Sequence, residues 1–187
     1  EQLSIYYIRF LHSDSECEAA AKEIAHLLGN FDVHFYAHCA GSAVALKILQ
    51  FLEKSQSHFV KQCILGASIP FRSIKTINVW RYVPDWLLKK ILIKAGAPAK
   101  FLNSSNGSHY LNQFRKDTDF AIQFFADYQI KINCAISIIT GKNDLFTKSS
   151  RHPEDLWKEY VTNITRIDCI NTPTHYFQTE NSDLLAQ

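Results

Sequence analysis

Short runs of apolar residues alternate along the chain with longer segments in which apolar residues recur at helical spacing. The short runs are rich in β-branched and aromatic residues and lack strict apolar–polar alternation, which is typical of buried strands in a parallel sheet. The predicted strands are Leu3–Leu11, Val33–Tyr36, Phe59–Ile69, Ile132–Thr140 and Ile164–Ile170. Because helices are predicted between them, the sequence indicates an α/β protein with a mostly parallel sheet and helices on both faces.

The helical segments are bounded by residues that commonly start or end helices. The first helix is capped by Ser13 or Ser15 and ends at Gly29. The second runs from Ser42 to Leu52, directly after a stretch of small residues. Further helices are predicted at Asp85–Gly96, at His109–Tyr128 and around Asp155–Tyr160.

A large helical insertion separates the third and fourth predicted strands. It covers residues 71–127 and mixes aromatic with polar residues. We interpret it as a lid over a binding site, within one domain that spans residues 1–187. Trp80, Trp86 and Phe114 are candidates to line a substrate channel under this lid, although such side chains also commonly hold helices to a core.

The composition fits one globular domain and disfavours several classes of function. The 187 residues are 47% hydrophobic and carry a formal net charge of +2, which gives no basic field for binding nucleic acid or an anionic membrane. No apolar run is long enough to span a bilayer, and no secretory signal pattern opens the sequence. The five cysteines are scattered without CxxC spacing, so we expect no disulfide framework, no metal site and a cytoplasmic location.

The segment Ala37-His38-Cys39-Ala40-Gly41 has the pattern of a nucleophile elbow, the tight turn between a strand and a helix that presents the nucleophile of α/β-hydrolases. Small residues two positions before and after the nucleophile suit a strained and closely packed backbone. The required strand precedes this segment and the required helix follows it. Cys39 stands where serine is usual. Taken alone, a small buried cysteine would explain the residue equally well.

Two further candidate residues follow strands later in the chain. Asp144 lies in a turn after the fourth predicted strand, and His175 lies in a loop after the fifth. Either residue alone is common in a turn or on a surface, but the order nucleophile, acid, histidine is that of α/β-hydrolase triads. The sequence therefore predicts a triad of Cys39, His175 and Asp144, in which the helix N-terminus and the imidazole favour the thiolate. The backbone N–H of Ala40 is predicted to donate to the oxyanion.

These motifs resemble the thioesterases of nonribosomal peptide and polyketide assembly lines, and the resemblance covers nearly the whole chain. FYAHCAGSAVALKILQFLE is similar to the family's elbow and following helix, ITGKNDLFT to its acid turn and PTHYF to its histidine loop. SIPF, FRKDTDFAIQFF and LWKEY are similar to its lid entry, its lid-to-core helix and the helix after the acid turn. The resemblance implies the α/β-hydrolase fold and cleavage or transfer of an acyl or peptidyl group held as a thioester on the phosphopantetheine of a carrier protein, with no bound cofactor.

The family comparison also shows where this sequence differs. Integral release domains often carry the acid after the strand that follows the elbow, where this chain has Gly66-Ala67-Ser68. The acid is therefore assigned to Asp144, an arrangement similar to that of stand-alone type II editing thioesterases. The family's N-terminal strands, with the loop that supplies the second oxyanion N–H, are not found in this sequence.

Two other interpretations stay open at this point. One is an esterase similar to dienelactone hydrolase, a family that also uses cysteine at an elbow. The other is a non-catalytic module of hydrolase fold that docks a carrier protein. If the chain binds a carrier protein, as a thioesterase or as a docking module, four lysines are candidates to face this acidic partner. These residues are Lys89, Lys90, Lys94 and Lys100.

Overall fold

The computed structural model describes residues 4–70, 77–127, 131–147, 153–172 and 174–177. Within these residues the sheet is parallel and has the strand order β1-β2-β3-β4. The strands are β1 (Val33–His38), β2 (Val60–Gly66), β3 (Ile136–Gly141) and β4 (Ile164–Ile170). The helices are α1 (Asp14–Leu28), α2 (Gly41–Lys54), α3 (Asp85–Lys94), α4 (Ala99–Leu102), α5 (Gly107–Asp127) and α6 (Pro153–Trp157), with a 3₁₀ helix at Ile77–Tyr82. The predicted α/β class with a parallel sheet is confirmed.

The predicted first strand, Leu3–Leu11, is wrong for the residues that the structure describes. Residues 4–12 form no strand or helix, and the side chains of Ile5, Tyr6 and Tyr7 are exposed. A strand needs a neighbouring backbone to satisfy its hydrogen bonds, and apolar β-branched composition alone does not supply one. Leu11, at the end of this segment, is buried in the main core.

Several other boundaries shift by a few residues. Strand β2 ends at Gly66, before the predicted Ile69, because Ala67 adopts a left-handed backbone with φ of 47°. Strand β3 begins at Ile136 instead of Ile132, which forms only an isolated bridge to Val161. Helix α6 ends at Trp157 and not at Tyr160, whereas α5 starts two residues before the predicted His109. The predicted end of that last helix, Tyr128, lies outside the described residues.

The main core lies between one face of the sheet and helices α1, α2 and α5. Inward side chains of the strands, such as Phe35, Leu65 and Ile138, belong to the same buried cluster as Leu46 and Phe125 of the helices. Of the two predicted caps of helix α1, Ser13 and Ser15, the N-cap is Ser13, whose hydroxyl accepts a hydrogen bond from the backbone N–H of Glu16. A smaller cluster, formed by Ala67, Ile139 and Phe177, lies apart from this core.

The helices between β2 and β3 form a second apolar cluster of their own. Its buried members are Leu88, Leu92, Ala97, Leu102 and Leu111. Leu88 and Leu92 are four residues apart on α3, so they share the face that packs against the rest of the cluster. In the part of the chain that is described, no helix is both long and apolar enough to cross a membrane.

Parallel strands bring the residues that follow them to one edge of the sheet. Cys39 follows β1 directly, Asp144 comes three residues after β3, and His175 comes five residues after β4. The register pairs His38 with Gly66 and Gly141 with Ile170, so the carboxyl ends of neighbouring strands are level. This topology places the three predicted site residues at the same edge.

Candidate active site

Cys39 forms the turn between β1 and α2 and has a left-handed backbone with φ of 52°. A left-handed residue other than glycine costs roughly 1–2 kcal/mol, so this conformation is held by its surroundings. Its N–H donates to the carbonyl of Gly66, at an N···O distance of 2.9 Å. Helix α2 starts two residues later, at Gly41. The local geometry is that of the strained strand-to-helix turn expected for a nucleophile elbow.

Two buried serines fix the carbonyl of this residue. The Cys39 carbonyl oxygen accepts hydrogen bonds from the hydroxyl of Ser42 at 2.8 Å and from the hydroxyl of Ser68 at 3.0 Å. Both serines are buried, and the Ser68 hydroxyl also donates to the Ser42 oxygen at 2.7 Å. The strained turn is thus tied to α2 on one side and to the end of β2 on the other.

Close packing explains the small residue before Cys39 but not the one after it. Ala37 is 7% exposed and packs in the main core, as expected for a position with little room. At Gly41, by contrast, an added Cβ would meet no heavy atom within 4 Å. The expectation that close packing requires a small residue at this position is therefore wrong for the described structure.

Asp144 and His175 form a buried hydrogen-bonded pair. His175 Nδ1 lies 2.9 Å from Asp144 Oδ2, and the side chains of both residues are almost fully shielded from solvent. Asp144 Oδ1 accepts from the N–H of Phe146 at 2.8 Å, and its Oδ2 accepts from the hydroxyl of Thr147 at 2.8 Å. Burial alone would raise the pKa of Asp144, but the hydrogen bonds from His175, Phe146 and Thr147 lower it below its ordinary value.

The imidazole of His175 also interacts with Cys39. Burial lowers the pKa of His175, but the charge and hydrogen bonding of Cys39 and Asp144 outweigh it and raise the pKa to about 10. The Asp144 carboxylate thus lies at Nδ1 of this imidazole, and Cys39 is near enough to act on its pKa. In a nucleophile–histidine–acid site the imidazole exchanges a proton with the nucleophile while the acid fixes its orientation.

The loop that carries His175 is anchored on the end of α3. The His175 N–H donates to the carbonyl of Ala95 at 2.8 Å. The next residue, Gly96, has φ of 104°, and a Cβ there would lie 2.8 Å from the Cβ of Thr174. Only glycine suits both the backbone and the close approach of the loop. A helix of the insertion is thereby coupled to the position of the imidazole.

The backbone N–H of Ala40 is available at the N-terminus of α2. Ala40 is the N-cap residue, and the helix has no side-chain cap. Within the described part of the chain, no carbonyl or side chain accepts the Ala40 N–H. The first N–H groups of a helix point outward from its end and bind anions or partial negative charge. The predicted oxyanion donor thus lies directly after Cys39.

The structure brings together two of the three aromatic residues predicted to line a channel. The Trp80 ring lies 6.1 Å from the Phe114 ring and 5.8 Å from the Phe146 ring, measured between centroids. Phe146 in turn lies 4.8 Å from the His175 ring, so this aromatic wall leads to the imidazole. Trp86 is not part of the wall. It is 62% exposed, and Lys90 Nζ lies 5.3 Å from its ring centroid.

Sequence reasoning missed several residues that shape the site. Ser68 and Thr147 are common small polar residues without a motif of their own, and only the fold aims them at Cys39 and Asp144. Phe146 could have been identified from the sequence, because it lies two residues after the predicted acid. In the described residues, no group of three or more His, Cys, Asp or Glu side chains is arranged to hold a metal ion.

The parallel sheet, the elbow and the histidine loop define the α/β-hydrolase fold. No family model matches the sequence, and no curated protein matches it. Among solved structures, the chain is similar to the RedJ thioesterase from the prodiginine pathway of Streptomyces coelicolor. The two share 15% identity with a TM-score of 0.71, over 92% of this chain and 68% of RedJ.

Two other solved thioesterases show the same fold. Human thioesterase 2 is 13% identical with a TM-score of 0.68, over 92% of this chain and 77% of that protein. YbtT, a type II thioesterase of the yersiniabactin pathway, is 15% identical with a TM-score of 0.65, over 94% of this chain and 72% of YbtT. At these identities the similarity establishes the fold alone.

Proposed function

We propose that this chain is a thioesterase that cleaves or transfers an acyl or peptidyl group from the phosphopantetheine thioester of a carrier protein, through an acyl-enzyme on Cys39. One observation supports the proposal most directly: Cys39 lies in a strained turn, near enough to a buried His175–Asp144 pair to raise the pKa of its imidazole. Similarity of fold to thioesterases of peptide and polyketide pathways supports the same substrate class.

The chemistry follows from the positions of these groups. The Cys39 thiolate attacks the thioester carbonyl carbon, a new C–S bond forms, and the bond to the pantetheine sulfur breaks. His175 gives its proton to the departing pantetheine sulfur. Water, or an amine or hydroxyl of the substrate, then attacks the carbonyl carbon of the acyl-enzyme. His175 takes a proton from this nucleophile, and the bond between the acyl carbon and the Cys39 sulfur breaks. The Ala40 N–H stabilises the oxyanion formed in each step.

A cysteine nucleophile keeps the acyl group activated. Exchange between a substrate thioester and the Cys39 thioester is nearly isoenergetic, whereas transfer to a serine would form a more stable ester. The retained reactivity suits attack by an amine or hydroxyl of the substrate as well as hydrolysis. The product is therefore set by which nucleophile reaches the acyl-enzyme, and ring closure competes with release of a free acid.

The helices between β2 and β3 serve as the lid of one domain in this proposal. Trp80 and Phe114 of this segment form an aromatic wall with Phe146, which follows β3, and the wall lies next to His175, where it shields the acyl group from water. Lys90, Lys94 and Lys100 are exposed on or near the same helices. They provide positive charge for an acidic carrier protein that delivers its phosphopantetheine arm.

The direct test uses an acyl-pantetheine thioester and follows two products. Intact mass spectrometry detects an acyl adduct on the protein, and a thiol reagent detects released pantetheine. We expect an adduct on the peptide that contains Cys39 and release of thiol over many turnovers. Cys39→Ala loses both, whereas Cys39→Ser keeps hydrolysis and changes the ratio of cyclic to hydrolysed product.

Cys169→Ala is the matched control, because Cys169 is an exposed free cysteine outside the site. It should leave both adduct and turnover unchanged. Full activity of Cys39→Ala would show that the nucleophile is misassigned. Absence of adduct and of thiol release, together with binding of a carrier protein, would instead identify a docking module. Turnover of small lactones but not thioesters would identify an esterase similar to dienelactone hydrolase.

A further inference from the structure

His38, the residue before Cys39, contacts three consecutive residues of the loop that carries His175. Its ring centroid lies 5.0 Å from that of His175, 6.1 Å from that of Tyr176 in a stacked arrangement, and 5.5 Å from that of Phe177. The loop therefore packs against this imidazole. None of the steps described above uses His38.

One edge of the His38 ring is held by β1 itself. His38 Nδ1 lies 3.0 Å from the hydroxyl oxygen of Tyr36, two residues earlier on the same face of the strand. The Tyr36 ring lies over Gly66 of the neighbouring strand, where an added Cβ would be 2.5 Å from the hydroxyl oxygen. A side chain at position 66 would displace Tyr36, so the glycine gives the tyrosine the room to reach His38.

The other edge of the ring is enclosed without a hydrogen bond. His38 Nε2 is fully buried, and no described atom pairs with it at hydrogen-bonding geometry. Burial, followed by the charge of His175, lowers the pKa of His38 to about 3, although Asp144 and the His175 backbone act in the opposite direction. His38 is therefore neutral near pH 7 and carries one N–H. When the Tyr36 hydroxyl donates to Nδ1, that N–H is on Nε2.

We propose that His38, oriented by Tyr36, is a positioning residue that sets the orientation of the His175 imidazole between Cys39 and Asp144. A neutral ring of this size supports the histidine loop without adding a second positive charge beside His175. The titratable groups around His175 are Cys39 from the elbow, His38 from β1, Asp144 from the turn after β3 and Tyr176 from its own loop. Tyr110 of α5 contacts the hydroxyl of Tyr176. The expected effect of His38 on turnover rests on the proposed function, whereas its expected effect on the orientation of His175 does not.

The test therefore uses two measurements that need no thioester substrate. NMR follows the titration of the His175 ring protons. Iodoacetamide labelling with peptide mass spectrometry follows the rate at which Cys39 is alkylated as a function of pH, with the exposed Cys169 as internal reference. The variants are Tyr36→Phe, which removes one hydrogen bond, His38→Leu, which removes the imidazole, and His38→Gln, which restores a neutral polar group.

We expect Tyr36→Phe and His38→Leu to lower the pKa of His175 and to move the Cys39 alkylation profile by about 1 pH unit, a tenfold change in rate at fixed pH. His38→Gln should restore most of the natural profile. His34→Gln is the matched control, since His34 is an exposed histidine of the same strand, and it should change neither measurement. If His38→Leu does not fold, Tyr36→Phe alone decides the question, because it removes the hydrogen bond that orients His38 and keeps both rings.

Two outcomes separate this proposal from the proposed function. Folded Tyr36→Phe and His38→Leu proteins with unchanged His175 titration and unchanged Cys39 alkylation would overturn the positioning role. Altered titration in a protein that turns over no thioester would support the positioning role while rejecting the enzymatic one.

Discussion

Asp144 and His175 are 31 residues apart in the sequence, yet Oδ2 of the first lies 2.9 Å from Nδ1 of the second. The two residues follow the adjacent parallel strands β3 and β4, whose carboxyl ends are level. Asp144 is further fixed by the Phe146 N–H and the Thr147 hydroxyl. Both carboxylate oxygens are thus engaged, so the acid holds the imidazole in one orientation and one tautomer.

Replacing Asp144 by Asn should lower the rate of acyl transfer by about 10⁴-fold, because the amide no longer stabilises the imidazolium and favours the wrong tautomer. Single-turnover kinetics with an acyl-pantetheine thioester measures the effect. Asp168→Asn is the control, since Asp168 pairs with Arg166 on β4 and should leave the rate nearly unchanged. A loss of less than about tenfold in Asp144→Asn would contradict the role of this acid.

The stability that His175 contributes should fall as pH rises. Its pKa is raised from the ordinary 6.5 to about 10 in the folded protein, so the folded state binds more protons than the unfolded state between these values. The contribution is complete below about pH 6.5 and is lost as pH approaches 10. Urea unfolding of the natural protein and of His175→Gln at several pH values measures it.

The difference in unfolding free energy between these two proteins should narrow steadily from pH 6.5 to pH 10. His109→Gln provides a control at an exposed histidine of α5 and should give a constant difference. If this difference in unfolding free energy instead widened with rising pH, His175 would be neutral in the folded protein and its pKa would be lowered.

The strain at the elbow predicts that Cys39→Gly stabilises the fold relative to Cys39→Ala. Glycine adopts φ of 52° without a steric penalty, so the gain should be about 1 kcal/mol. Ala40→Gly gives the opposite expectation, because Ala40 has an ordinary φ of −59° and glycine there only adds freedom to the unfolded chain. Denaturant unfolding of the three variants compares them. If Cys39→Gly were the less stable of the first pair, the turn would not be strained.

Trp80 and Trp86, the two tryptophans between β2 and β3, should differ in their effects on substrate binding. Trp80→Ala opens the aromatic wall beside Phe146 and His175, and we expect it to raise KM for long acyl thioesters about tenfold. Trp86→Ala removes a 62% exposed ring of α3 and should leave KM for free acyl-pantetheine unchanged. Steady-state kinetics with short and long acyl chains distinguishes them. Equal effects of both variants would place the acyl group away from the wall.

Much of the candidate site was predictable because its signals are local. A tight strand-to-helix turn favours the small, buried Ala37 before Cys39, and turn residues mark the ends of strands before Asp144 and His175. Chain order alone could then suggest that the three residues meet. Their proximity stayed a prediction, because the sequence of a strand does not specify which other strands lie next to it.

Other features were beyond reach for the same physical reason. Leu3–Leu11 has the composition of a strand but lacks a strand partner among the described residues, because pairing depends on backbone from elsewhere in the chain. Trp86 and Trp80 look equivalent as aromatic residues of the insertion, and only the packing of Leu88 and Leu92 turned Trp86 to the surface.

The sequence by itself determined the parallel α/β class, because periodicity and turn chemistry are properties of neighbouring residues. Motif and chain order also indicated Cys39, Asp144 and His175 as candidate site residues. Only the tertiary structure decided that Ser68 holds the Cys39 carbonyl, that the end of α3 holds the histidine loop, and that Tyr36 and His38 lie against His175. These contacts join residues that are distant in the chain, and their geometry follows from strand register and helix packing, which no local pattern encodes.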